Sequence, residues 1–177
     1  MSDCVDWNAW LDAHGGRLLL YARQQTRSEA DAEDVLQEAL VQLVQAVEKG
    51  DFRGGESQWV PYALTAIRHL AMDFGRRAEV RKNYASSDRA WESGVWEETP
   101  WLTSASDSAW LRQQVEGLLR SLPPEFAEVI VLRIWEELTF QQIADVTHTP
   151  LPTITSRYRY AIRRMRNELE RNPIDQP

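Results

Sequence analysis

Apolar residues recur along nearly the whole chain at intervals of three and four, the period of helices with one inward face. In the segment 28–48 they fall at Ala32, Val35, Leu36, Ala39, Leu40, Leu43, Val44 and Val47, which predicts one amphipathic helix. Ser28 followed by Asp31 has the spacing of a capping box, and Gly50 stands just past the stripe, where a helix stops. An earlier helix is expected from about Trp7 to Thr26, with Trp10, Leu11, Leu18 and Tyr21 inward and Gly15-Gly16 as the place where it would be interrupted. Phe52-Arg53-Gly54-Gly55-Glu56-Ser57 reads as a loop. A third helix follows, with Trp59, Leu64, Ile67, Leu70, Ala71 and Phe74 as buried candidates. No segment alternates with period two, so no sheet is expected.

Residues 83–108 break the pattern: they are rich in Ser, hold Gly94 and Pro100, and carry five acids against one base. This composition predicts a linker, with Trp91, Trp96 and Trp101 tacking it onto a neighbouring domain. Helical periodicity then resumes. Leu122-Pro123-Pro124 separates one helix from the next, which holds Phe126, Val129, Ile130 and Leu132. Thr139 to Val146 reads as a short helix and Thr147-His148-Thr149 as a tight turn. A longer helix is expected near Pro150, with Thr149 as cap, Pro150 at the first helical position, and Ile154, Tyr158, Ile162, Met165 and Leu169 inward. Short helix, tight turn and basic helix make a helix-turn-helix pattern. The expected fold class is therefore all-α. A domain of three or four helices over 1–82 is joined by the acidic, Trp-bearing linker 83–108 to a four-helix domain over 109–172.

Composition narrows the function. The chain of 177 residues, 43% hydrophobic, has no apolar run of about 18 residues, so no membrane span is expected. Its acidic start, Met1 to Asp6, has no basic and apolar signal segment, and Cys4, the one cysteine, reads as an inert thiol. These features fit a cytoplasmic protein. A net charge of −7 argues against nucleic acid until its distribution is considered. Residues 1–50 hold nine acids and four bases; residues 68–82 carry Arg68, Arg76, Arg77, Arg81 and Lys82 against two acids. Residues 150–167 carry Arg157, Arg159, Arg163, Arg164 and Arg166 and no acid. Two basic patches on an acidic chain point to two DNA contacts and a separate protein-facing surface.

The last helix turns Thr153, Thr155, Ser156, Arg159, Tyr160 and Arg163 outward, with Arg157 beside them. Short polar groups near the start let the backbone approach base edges, and arginines suit guanine edges and phosphates. The acids Glu29, Asp31, Glu33, Asp34 and Glu38 have no nearby His and do not converge on one face, so no metal is expected there. Scattered His14, His69 and His148, without a phosphate-cradling Gly loop, give an enzyme reading no support, and no cofactor is expected.

These residues match a known family. Asp31-Ala32-Glu33-Asp34-Val35-Leu36-Gln37-Glu38 resembles the polymerase-binding helix in region two of the extracytoplasmic-function sigma factors, and Phe52 to Ser57 resembles the loop after it. Ile67-Arg68-His69-Leu70-Ala71-Met72-Asp73 resembles the promoter-melting helix. Leu122-Pro123-Pro124-Glu125-Phe126 through Ile143-Ala144, then Thr153-Ile154-Thr155-Ser156-Arg157, resembles region four. The resemblance implies a sigma factor that takes core RNA polymerase, through its β′ and β subunits, to specific promoters. Asp31, Asp34, Gln37 and Glu38 would dock on the β′ coiled coil. Arg53, Trp59, Tyr62, Arg68, His69 and Arg76 would serve the minus-ten element, and Thr153, Thr155, Ser156, Arg157, Arg159 and Arg163 the minus-thirty-five element. An anti-sigma protein is a further implied partner. His148 stands where the family often has Gly, which demands an unusual dihedral or a reshaped turn, and Pro152 stands where it often has a small residue. Two rivals are a stand-alone helix-turn-helix regulator, which predicts a dimer on a palindromic site, and a sigma-mimic adaptor that binds an anti-sigma protein and no DNA.

Overall fold

A computed structural model describes residues 5–52, 55–85 and 109–171, with side chains from 5–52, 55–76 and 113–171. Cys4, Arg53 and the linker tryptophans Trp91, Trp96 and Trp101 lie outside the described residues. The chain divides into two units, 1–99 and 100–177. Seven α-helices and one 3₁₀ turn, and no strand, form the described residues.

In the first unit, helix α1 spans Trp7–Gln25. Asp6 caps it, its carboxylate accepting from the Ala9 N–H at 3.1 Å. The expected interruption at Gly15-Gly16 does not occur: α1 runs unbroken through both. Two glycines cost a helix about 1 kcal/mol each. Burial of Leu18, Tyr21 and Ala22 just beyond them holds the turn in place. Leu11, expected inward, is exposed, because Trp10 occupies the buried register one residue earlier.

Helix α2 spans Glu29–Lys49 and is stopped at both ends by its own sequence. Ser28 Oγ accepts from the Asp31 N–H at 3.1 Å. At the other end Gly50 adopts φ 73°, which lets its N–H reach Val47 O at 3.0 Å and the Asp51 N–H reach Ala46 O at 3.1 Å. This is a Schellman stop, which needs the left-handed conformation glycine tolerates. Helix α3, Trp59–Ala85, follows a 3₁₀ turn at Gly55–Gln58 and extends three residues into the stretch read as linker. The three helices pack on one another pairwise, closing a core of Leu18, Tyr21, Val35, Leu43, Leu64 and Ile67. Leu70 and Phe74, expected in that core, are only half-buried.

The second unit holds α4 (Ala109–Arg120), α5 (Pro124–Ile134), α6 (Phe140–Thr147) and α7 (Leu151–Arg171). Pro123 and Pro124 separate α4 from α5, as the sequence predicts. Helix α7 packs on the other three over Leu119, Ile130, Leu132, Ile143 and Ile154. Its buried contact at Ala161 went unread in the sequence because alanine barely marks a hydrophobic stripe. Tyr158, Ile162, Met165 and Leu169, expected inward, are half-buried.

Candidate nucleic-acid and polymerase interfaces

Helix α2 buries Ala32, Val35, Ala39 and Leu43 and turns the opposite face to solvent. Asp34, Val41 and Glu48 lie two turns apart along that face, with Gln37, Glu38 and Gln45 flanking them, all exposed. Glu38 also accepts from the Gln42 amide at 3.2 Å. Asp31 stands apart: it is half-buried at the capped first turn. The sequence missed Val41, a valine 49% exposed in the middle of an acidic-polar stripe. Among the described residues, no group of three or more His, Cys, Asp or Glu could hold a metal ion.

The loop after α2 and the start of α3 are organised by aromatic rings. Trp59 is 7% exposed, stacked on Trp7 at 5.2 Å and tilted against Trp10 at 6.2 Å. Its ring belongs to the packing between α1 and α3, as its place among the buried candidates anticipates. Tyr62 differs, being 36% exposed with its ring edge-on to Phe52 at 5.2 Å. One helical face of α3 then carries Tyr62, Thr65, His69, Met72 and Arg76, with Arg68 beside Met72. Asp73 pairs with Arg76, holding a guanidinium whose side chain remains 75% exposed. Arg77, Arg81 and Lys82 continue α3 beyond the described side chains.

Near this loop, the His14 ring lies tilted against Trp10 at 4.8 Å, and its Nδ1 lies 3.1 Å from Arg17 Nη2. Burial lowers its pKa from 6.5, the Arg17 charge lowers it further, and Glu56 opposes both. A neutral ring, whose Nδ1 lone pair accepts from the guanidinium, fits this geometry.

The second unit presents the helix-turn-helix. A capping box starts α6: Thr139 Oγ1 accepts from the Gln142 N–H at 3.2 Å, and the Gln142 side chain accepts from the Thr139 N–H at 2.8 Å. His148 stops α6 at φ 50°, the left-handed conformation its position demands. The His148 N–H then reaches Asp145 O at 3.4 Å and the Thr149 N–H reaches Ala144 O at 3.0 Å. The expected start of α7 shifts by one residue. Pro150 is the cap rather than the first helical residue: its carbonyl accepts from the Thr153 and Ile154 N–H groups at 2.9 and 3.1 Å. Pro152 thus falls in the first turn, where a missing N–H costs nothing and the chain enters the helix undistorted.

From that start, α7 exposes Thr153, Ser156, Arg159, Tyr160 and Arg163, with Arg157 half-buried. Thr155 is half-buried too, its hydroxyl directed to the Leu151 and Pro152 carbonyls at 3.2 and 2.9 Å. Its oxygen keeps lone pairs for a donor, so it can still face a base as an acceptor. Tyr160 packs on Phe126 at 4.8 Å, and its hydroxyl lies 3.3 Å from Arg164 Nη1, tying one arginine to the helix surface.

Comparison with known proteins identifies the family. The chain matches Sigma-70 region 2 over residues 10–81 and Sigma-70 region 4 over residues 118–167. It is 31% identical over 164 residues to the ECF RNA polymerase sigma factor SigL of Mycobacterium tuberculosis, covering 92% of this chain and 88% of that one. It is 26% identical over 169 residues to the ECF RNA polymerase sigma factor SigE of Mycolicibacterium smegmatis, covering 94% of this chain but 62% of the relative's length. Among solved structures, the fold is similar to the sigma factor RpoE bound to the anti-sigma factor NepR from Bartonella quintana. That likeness has a TM-score of 0.72 and 19% identity over 97% of this chain and 99% of the other. It is also similar to CnrH in complex with the cytosolic domain of CnrY, at a TM-score of 0.55 and 20% identity over 93% of this chain and 88% of that one. Two sigma regions in their order on one all-helical chain, with a relative 31% identical along nearly its full length, settle the family. The chain belongs to the extracytoplasmic-function sigma factors, initiation factors that direct transcription by RNA polymerase and are not enzymes.

Proposed function

We propose that this sigma factor docks on the β′ coiled coil of core polymerase through the exposed face of α2. In the same reading, α7 lies in the major groove of the minus-thirty-five element, and the face of α3 holds the minus-ten element. The observation that carries this reading is the division of charge between faces. Helix α2 shows Asp34, Glu38 and Glu48 to solvent, while α7 shows Arg159 and Arg163 and has no acid across 150–167. An acidic face suits a basic protein partner, and an acid-free arginine face suits phosphates and guanine edges. Thr153, Thr155 and Ser156 at the start of α7, with Arg157, Arg159 and Arg163, form the base- and phosphate-reading set.

At the minus-ten element Tyr62 offers a ring for a displaced base, and Arg68, His69 and Arg76 offer cationic and hydrogen-bonding contacts beside it. Trp59 supports this surface from behind; Arg53 is kept in the set on its sequence position alone. The working location is the cytoplasm, where polymerase and promoter are; no helix among the described residues is long and apolar enough to cross a membrane. Because two similar folds are solved bound to partner proteins, one of them named an anti-sigma factor, an anti-sigma partner is proposed for this chain as well.

The test is run-off transcription with core polymerase on genomic fragments. The expected result is initiation from a discrete set of promoters sharing two spaced elements. Binding to a palindromic site without polymerase would overturn the reading in favour of a stand-alone regulator.

A further inference from the structure

Met72 is 51% exposed, more than any other large apolar side chain described in the first unit. It is no stray residue on a mixed surface. On a helix, neighbours on one face lie three, four and seven residues apart. For Met72 these are Thr65, Arg68, His69, Gly75, Arg76 and Glu79. The methionine is therefore a single apolar spot among two arginines, a histidine, a threonine and a bare glycine, with one glutamate position two turns further on. Arg68 Nη1 sits 3.6 Å from Met72 Sδ, so one arginine packs along the thioether. Asp73, the adjacent acid, lies to the side and is paired with Arg76.

That arrangement constrains what can cover it. A protein partner held by apolar contact needs a patch of a few hundred square ångströms. Here the patch is one side chain, and the arginines one turn to either side of it, Arg68 and Arg76, favour an anionic partner over a basic surface. DNA has the complementary pattern. The C5-methyl of thymine is an isolated apolar group in the major groove, flanked by phosphates. Methionine, unbranched and polarisable, adapts to such a contact. Met72 lies ten residues beyond Tyr62, about 15 Å along the helix, too far to meet the same base as that ring. With Tyr62 assigned to the separated strand, Met72 is left for the paired DNA next to it.

We propose that Met72 is a specificity residue that reads a thymine methyl group in the duplex base pairs bordering the melted minus-ten strand. The proposal rests on the assignment of the α3 face to promoter DNA. Its test uses the full chain with core polymerase and a pool of promoter duplexes randomised at the positions bordering the minus-ten element. Wild-type holoenzyme should enrich thymine at one of these positions, and Met72→Ala holoenzyme should not. At that position, replacing thymine by deoxyuridine, which lacks only the methyl, should weaken wild-type binding about fourfold and leave Met72→Ala binding unchanged. The deoxyuridine arm uses unmodified protein, so it is independent of any folding defect in the variant. No thymine enrichment, or equal loss on deoxyuridine with both proteins, overturns the proposal. Arg68→Ala and Arg76→Ala separate the two levels. If both arginine variants keep wild-type promoter affinity and salt dependence, the DNA assignment of α3 itself fails. If they weaken binding while Met72→Ala matches wild type, only the methyl-reading role fails.

Discussion

His148 and Gly50 do the same job with different side chains. Each ends a helix by taking a positive φ, 50° for His148 and 73° for Gly50, and each sets up the same pair of backbone hydrogen bonds. Only glycine does this without a Cβ clash. His148→Gly should therefore raise stability by about 1 kcal/mol, seen as a higher urea midpoint at unchanged slope. A midpoint that falls would mean that the imidazole makes contacts worth more than the strain. This strained turn was legible in the sequence, because a short helix followed directly by a second one leaves room for few conformations. The exposure of Met72 was not, and Trp59 fits two readings of the sequence, as a buried candidate and as a minus-ten residue. The contacts that bury Trp59 come from Trp7 and Trp10, some fifty residues away in sequence. His14 supplies a second prediction at this scale. Burial and Arg17 lower its pKa in the folded protein, so the unfolded chain binds its proton more readily. Stability from this group is then complete above the unfolded value of 6.5 and declines as pH falls through that value toward the lower folded one. Thermal melts of wild type and His14→Gln across that window should diverge toward acid, with the variant less sensitive; parallel curves would show that His14 is not the titrating group.

Helices as units were the most legible feature, because each carries its own stops. Ser28 and Gly50 bound α2, and Pro123-Pro124 separate α4 from α5, as read from the sequence. Where reading failed, tertiary packing had overridden local preference: α1 passes through Gly15-Gly16 because Leu18 and Tyr21 are fully buried one turn further on. The outer face of α2 is different, since it is exposed among the described residues. Asp34→Lys with Glu38→Lys should leave the melting temperature near wild type, because both side chains are exposed. The same pair should weaken binding to core polymerase by about tenfold or more through reversed charge at a basic partner. Unchanged capture of polymerase by the double variant would remove α2 from the docking surface. The start of α6 offers a stability control away from any proposed contact with polymerase. Thr139→Ala removes one half of the capping box and should cost about 1 kcal/mol.

At the scale of the whole molecule, the two units each close a core of their own, one around Leu18, Leu43 and Leu64 and the other around Ile130, Ile143 and Ile154. A unit with its own core can fold alone. Expressed separately as residues 1–99 and 100–177, each should melt cooperatively. The functions should divide with them. The first unit should capture core polymerase without the second. The second should bind promoter DNA weakly, with an affinity that falls as salt rises, because phosphate contacts release counterions. Each Arg→Ala change at a phosphate contact among Arg157, Arg159 and Arg163 should flatten that dependence by about one unit in the log–log slope. A change at a base contact should instead alter sequence preference at similar slope. Neither unit alone should restore promoter selection by polymerase, even when both are supplied together. Joining two weak sites on one chain raises the effective concentration of the second and multiplies affinity by about a hundredfold or more without any new contact. Transcription from a two-element promoter should then require the intact chain at nanomolar concentration. Equal activity from the separated units at that concentration would show that polymerase, rather than the covalent connection, brings the two DNA-reading units together.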